Sequence, residues 1–123
     1  RVGLNDYLAK LVTTGKKIIF IVDNPEMGFN PITCISRPIH FSVAARTPCA
    51  IDLSAFHDRS ARYLKAVESV LENFPTIEVF YTSRHLCDEQ LCWAEKAGVM
   101  LYLDDDHLSY AGSILIGEKF FRR

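Results

Sequence analysis

No stretch of this 123-residue chain approaches the ~20 consecutive apolar residues that cross a bilayer. No signal peptide is visible either. An excess of one charge sign is also missing: 14 Lys and Arg stand against 15 Asp and Glu, a formal charge of −1. That balance gives no electrostatic ground for nucleic acid or an anionic membrane as partner. There is no C-x-x-C, and no histidine stands at ligand spacing from a cysteine pair, so no common zinc pattern is encoded. G-x-S-x-G, Walker A and G-x-G-x-x-G are absent, which removes the signatures of the nucleophile elbow, the P-loop and the dinucleotide turn. Repeats and low-complexity tracts are lacking as well.

What is present fits one compact domain or part of a larger one: 49% hydrophobic and 24% charged residues are ordinary for a globular chain. The chain opens on Arg1, with helical spacing already running through Leu4, Leu8, Leu11 and Val12. That pattern reads as a piece cut from a longer protein. The spacing of the four cysteines, Cys34, Cys49, Cys87 and Cys92, leaves two readings open. One is a pair of local disulfides, Cys34–Cys49 and Cys87–Cys92, in an oxidising compartment. The other is free thiols in a reducing cytosol.

Along the chain, residues 4–14 have the spacing of an amphipathic helix that Gly15 would end. "IIFIV", Ile18 to Val22, is apolar without alternation, as in a parallel strand buried on both faces. From Asp23 to about His57 no period emerges, and Pro25, Pro31, Pro38 and Pro48 argue against long regular elements. A helix is expected over Arg62–Phe74, capped by Asp58, with Leu64, Val67, Leu71 and Phe74 on one stripe. "IEVFY" (Ile77–Tyr81) and "VMLYL" (Val99–Leu103) read as further strands, and a helix follows from Leu108 or Ser109. The alternation implies an α/β fold with a parallel sheet and right-handed crossovers. In such sheets ligands bind beyond the carboxyl ends of the strands. "DNP", "TSRH" and "DDDH" all fall on that edge.

Asp104 and His107 lie three apart at a strand-to-helix turn. A carboxylate on Nδ1 would fix the imidazole tautomer and leave Nε2 free to take a proton. A second reading joins Asp104 and Asp106 as D-x-D, a divalent-cation site for a metal-dependent glycosyltransferase. A third makes the turn purely structural, in a non-catalytic interaction module. His40, His57 and His85 read as surface or packing residues, and Trp93 as a cover for the Cys87–Cys92 loop. Asp23, Asn24 and Glu26 stand on the functional edge, where turn chemistry explains them equally well. No serine in the chain occupies a recognisable nucleophile turn.

"YLDDDHLSYAG" resembles the last block of SGNH-fold hydrolases and acyltransferases, D-x-x-H. The ordered set "GKKIIFIVDNPE", "CISRP…C", "LCDEQLCW" and this block resembles the SGNH domain fused behind a membrane acyltransferase in bacterial O-antigen and cell-envelope polysaccharide O-acetylases. The resemblance runs roughly from Gly15 to Gly112. It implies a three-layer, flavodoxin-like SGNH fold, with residues 1–123 as the C-terminal portion of a single domain. It makes Asp104 and His107 the acid and base of a Ser-His-Asp triad. The serine, in a G-D-S block, and the oxyanion-hole residues would precede this region. The implied partners are a polysaccharide acceptor and an acyl donor, without cofactor or metal. The implied place is the periplasmic side of the inner membrane, which agrees with paired cysteines.

Overall fold

The computed structural model describes residues 2–35 and 44–123; Pro38 and His40 lie outside the described residues. Helix α1 (Val2–Val12) leads through Gly15, at φ +69°, into β1 (Ile19–Val22). A 3-10 turn (Pro31–Cys34) and a short strand β2 (Ala50–Asp52) interrupt the segment that shows no period in the sequence. Helix α2 (Leu53–Leu71), β3 (Glu78–Tyr81) and the one-turn helix α3 (Ser83–Leu86) follow. Three short strands, β4 (Leu91–Trp93), β5 (Glu95–Lys96) and β6 (Val99–Met100), precede helix α4 (Tyr110–Phe121).

β1 and β3 pair in parallel, Ile19 opposite Glu78 through Val22 opposite Tyr81, with α2 in the crossover. This is the α/β unit that the alternation of helices and apolar strands implies. Two expectations are corrected. Val99–Leu103 does not extend the parallel sheet: β6 folds back antiparallel on β5. The turn between them is Ala97–Gly98, with φ of 52° and 79°, and positive φ at both central residues suits a tight two-residue hairpin. The strand β1 is also not buried on both faces; Ile21 is 52% exposed. A five-residue apolar run marks strand and burial without saying how many neighbours cover it.

Helix α2 begins at Leu53, well before Asp58, and stops at Leu71 rather than Phe74. Its buried residues Phe56, Val67 and Leu71 lie on one face, because intervals of 11 and 4 match whole turns. That face serves two cores. Phe56 packs with Met27, Ile51, Leu86, Leu101 and Tyr102, while Val67 and Leu71 pack with Leu8 and Ile77.

The long irregular segment is tied down covalently. Cys34–Cys49 joins the 3-10 turn to the start of β2 across 15 residues of sequence, a closure worth about 3 kcal/mol in the chain-entropy account. Cys87–Cys92 closes the loop between α3 and β4. Inside that loop Asp88 accepts the N–H groups of Gln90 and Leu91, each at 2.8 Å, and the indole N–H of Trp93 at 2.8 Å. Trp93 therefore braces the small loop by a hydrogen bond. β2 and β4 pair antiparallel, Ile51 opposite Cys92, which brings the two disulfide-bearing segments together.

Candidate active site

The turn after β6 is closed by its own first acid. Asp104 Oδ1 accepts the backbone N–H of Asp106 at 3.0 Å and of His107 at 2.7 Å. Asp is suited to this because its short side chain reaches amides two and three residues on. The same carboxylate faces the imidazole: His107 Nδ1 is 3.0 Å from Oδ1 and 3.0 Å from Oδ2. Asp106 Oδ1 stands 2.8 Å from the same nitrogen. An ionised carboxylate only accepts, so Nδ1 must carry the proton and Nε2 is left as the acceptor. The His107 side chain is 73% exposed, which keeps Nε2 open to an approaching hydroxyl.

The electrostatics follow from these contacts. The His107 N–H, then the Asp106 N–H, hold the Asp104 carboxyl down to about 2, with the imidazole adding to them. Hydrogen bonding to Asp104 pushes the His107 imidazole above its ordinary 6.5, aided by the charges of Asp104 and Asp106. Contact with Asp104 pushes the Asp106 carboxyl up from 3.8. The signs give opposite pH limits. The lowered Asp104 stabilises the turn fully above 3.8 and loses that effect as pH falls through about 2. The raised His107 contributes below 6.5 and loses its contribution as pH rises through its elevated value. A carbon-13 NMR titration is expected to show Asp104 protonating well below Asp106. Equal midpoints for the two would contradict this geometry.

The turn is held by its surroundings. Asn24, just past β1, donates its side-chain amide to the Asp106 carbonyl at 2.7 Å, and the Met27 N–H reaches the Asp105 carbonyl at 2.6 Å. Tyr102 is buried, and its hydroxyl donates to the Pro25 carbonyl at 2.7 Å; burial pushes that phenol far up, so it stays a donor. Thr82, at the end of β3, donates to the Val22 carbonyl at 3.1 Å and locks the two parallel strand ends together. On the other side Leu103 N–H meets the His107 carbonyl at 2.7 Å. Ser109 then does two jobs: its hydroxyl accepts the Gly112 N–H at 3.0 Å as the cap of α4, and donates to the Met100 carbonyl at 2.7 Å. Gly112 lies against the Leu101 carbonyl, and any Cβ there would overlap it.

A family model described as "SGNH domain (fused to AT3 domains)" matches residues 1–122. The chain belongs to that family. A solved structure also aligns: the periplasmic domain of the lipopolysaccharide acetyltransferase of Salmonella ser. Paratyphi A, at 18% identity and a TM-score of 0.53. The alignment covers 96% of this chain and 48% of that one, so the chain spans about half the length of that structure. At this identity the likeness speaks to fold alone. No curated protein matches the chain significantly.

Within this SGNH domain, the structure brings Asp104, Asp106 and His107 together, with one donor atom of each within 4.8 Å of the others. Among the described residues no serine hydroxyl bonds to His107. His85 stacks on Phe80 at 5.3 Å, and burial holds its imidazole below the ordinary value. His57 lies tilted against Phe56 at 5.3 Å. Neither is a hydrogen-bond partner of the Asp104–His107 turn. The supporting roles of Asn24, Tyr102 and Gly112 were not readable from spacing. Ser109, a residue type preferred at helix N-caps and standing at the expected helix start, was the one local signal.

Proposed function

We propose that Asp104 and His107 are the acid and general base of a Ser-His-Asp triad, and that the complete protein moves acetyl or a similar short acyl group onto a cell-envelope polysaccharide. The observation that carries this reading is the imidazole bound through Nδ1 to Asp104 with Nε2 free and exposed. The serine belongs to a segment outside this chain, which is the C-terminal portion of the SGNH domain. The chain covers 48% of the Salmonella domain, which leaves a second half of that fold in which such a segment can lie. The printed name of that relative, together with the two disulfides here, supports a periplasmic domain on an inner-membrane protein.

The chemistry balances on one proton site. His107 Nε2 takes the serine hydroxyl proton as Oγ attacks the acyl carbonyl, and then gives that proton to the leaving group. An acyl-serine remains. His107 next takes the proton of a sugar hydroxyl, whose oxygen attacks the acyl-serine; the proton returns to the serine as the ester forms. Water in place of the sugar gives hydrolysis. Asp104 stays ionised throughout and stabilises the imidazolium formed at each step.

The D-x-D glycosyltransferase reading is weaker on this geometry. Asp104 already accepts two backbone N–H groups and faces the imidazole, contacts with which a cation would have to compete. Acetylation in cells decides between the triad and a structural turn. With His107→Ala in the full-length protein, the acetyl content of the purified envelope polysaccharide, read by proton NMR, is expected to fall to that of a deletion strain. Wild-type acetyl content would overturn the reading.

A further inference from the structure

We infer that the cleft between the loop after β1 and helix α2 is a subsite for one neutral pyranose ring of the acceptor. The cleft has a volume of about 210 Å³, below the roughly 300–1,000 Å³ of sites for drug-sized ligands and of a size for a single sugar ring. Asp23, Asn24 and Glu26 form one wall, Arg59 and Tyr63 the other, and the buried Phe56 lies beneath them.

Three observations point to a sugar next to the reacting centre. The first is position: Asn24 lines the cleft and also donates to the Asp106 carbonyl, so one side chain is shared between the cleft and the catalytic turn. A ring seated there meets the same Asn24 side chain that holds the backbone of the turn carrying His107. The second is chemistry. The lining combines an apolar floor and a half-open tyrosine ring, 44% exposed, with planar polar groups that both donate and accept. A pyranose offers the matching pair, a C–H face for the aromatic ring and a girdle of hydroxyls for the polar groups.

The third is the way Arg59 is set. Gly28 has φ +69°, and a Cβ there would overlap the Arg59 guanidinium, so the glycine lets that side chain lie flat against the loop. Arg59 forms no ion pair among the described residues. Arg59 lines the cleft with its guanidinium end lying over Gly28. Asp23 and Glu26 outnumber Arg59, so the cleft disfavours anionic sugars.

The inference rests on the acyl-transfer reading only in naming a saccharide as the occupant. Its test reads binding without turnover. Saturation-transfer NMR on the full-length protein would use the methyl glycosides of glucose, galactose, mannose and rhamnose, with methyl glucuronide as the charged comparison. At least one neutral glycoside is expected to bind, and the glucuronide to bind more weakly. Tyr63→Ala is expected to weaken binding about tenfold, the loss of one aromatic contact, and Tyr63→Phe to keep it within about twofold. Gly28→Ala, which displaces Arg59, should weaken it as well. Equal binding to wild type and Tyr63→Ala, or preference for the glucuronide, would overturn the subsite while leaving the triad untouched. Normal acetylation by His107→Ala would remove the triad and leave this binding result standing.

Discussion

Asp104→Asn in the full-length protein is expected to lower kcat for acyl transfer about 10⁴-fold, the scale seen when a triad acid becomes an amide. The reason is the hydrogen-bond inventory. An amide nitrogen in place of Oδ2 donates and cannot accept the Nδ1 proton, so Asp104 no longer enforces the Nδ1–H tautomer and the form with its proton on Nε2, the atom that has to receive the serine proton, competes. The lost charge also removes the main stabiliser of the imidazolium. Asp106→Asn is a different case. Asp106 Oδ1 is only 2.8 Å from the same Nδ1, but Asp104 still fixes the tautomer. Its loss is expected to cost less than about tenfold, since it removes one neighbouring anion and not the orienting bond.

The pH profile separates the two carboxylates further. Protonated His107 cannot take the serine proton, so kcat/KM falls on the acid side as pH drops through the imidazole value. Both acids push that value above 6.5. Asp106→Asn should therefore move the acid limb to lower pH while preserving most of the plateau rate. Equal losses from the two substitutions, with no movement of the limb, would mean that Asp104 has no special orienting role.

The second large effect is on stability. Gly112→Ala is expected to destabilise the domain by about 3 kcal/mol, because the new Cβ meets a backbone carbonyl that cannot swing aside. For a complete domain of roughly 150–250 residues that is a fall in Tm of about 6–12 °C. Gly117→Ala in the same helix gives the control. Nothing lies within 4 Å of a Cβ there, so the helix gains propensity and stability rises by up to about 1 kcal/mol. Thermal unfolding of the two variants should thus give opposite signs. The Gly112 change also pushes α4 away from Leu101, next to the turn that carries His107, so acyl transfer should fall with stability.

The parts of this architecture that were legible in sequence are those with a local cause. The apolar runs Ile18–Val22 and Ile77–Tyr81 contain the two parallel strands, and Ser109 marks the start of α4. The Asp104–His107 pairing could be anticipated because both residues sit in one turn. Long-range causes were hidden. β2 and β4 are three residues each and pair across about forty residues of chain, with no period to announce them. The fold-back of Val99–Met100 depends on positive φ at Ala97, which an alanine does not advertise. Asn24 reaches the Asp106 carbonyl across 82 residues, a contact that only the folded chain creates.

The central claim is that His107 activates a serine supplied by another part of the same domain. It is tested most directly by trapping the acyl group. The full-length protein would be given acyl donor without acceptor, quenched in acid, digested and mapped by mass spectrometry. The account predicts an acylated serine outside residues 1–123, absent from the His107→Ala variant. An acyl group carried on a residue of this chain, or one that forms equally without His107, would contradict it.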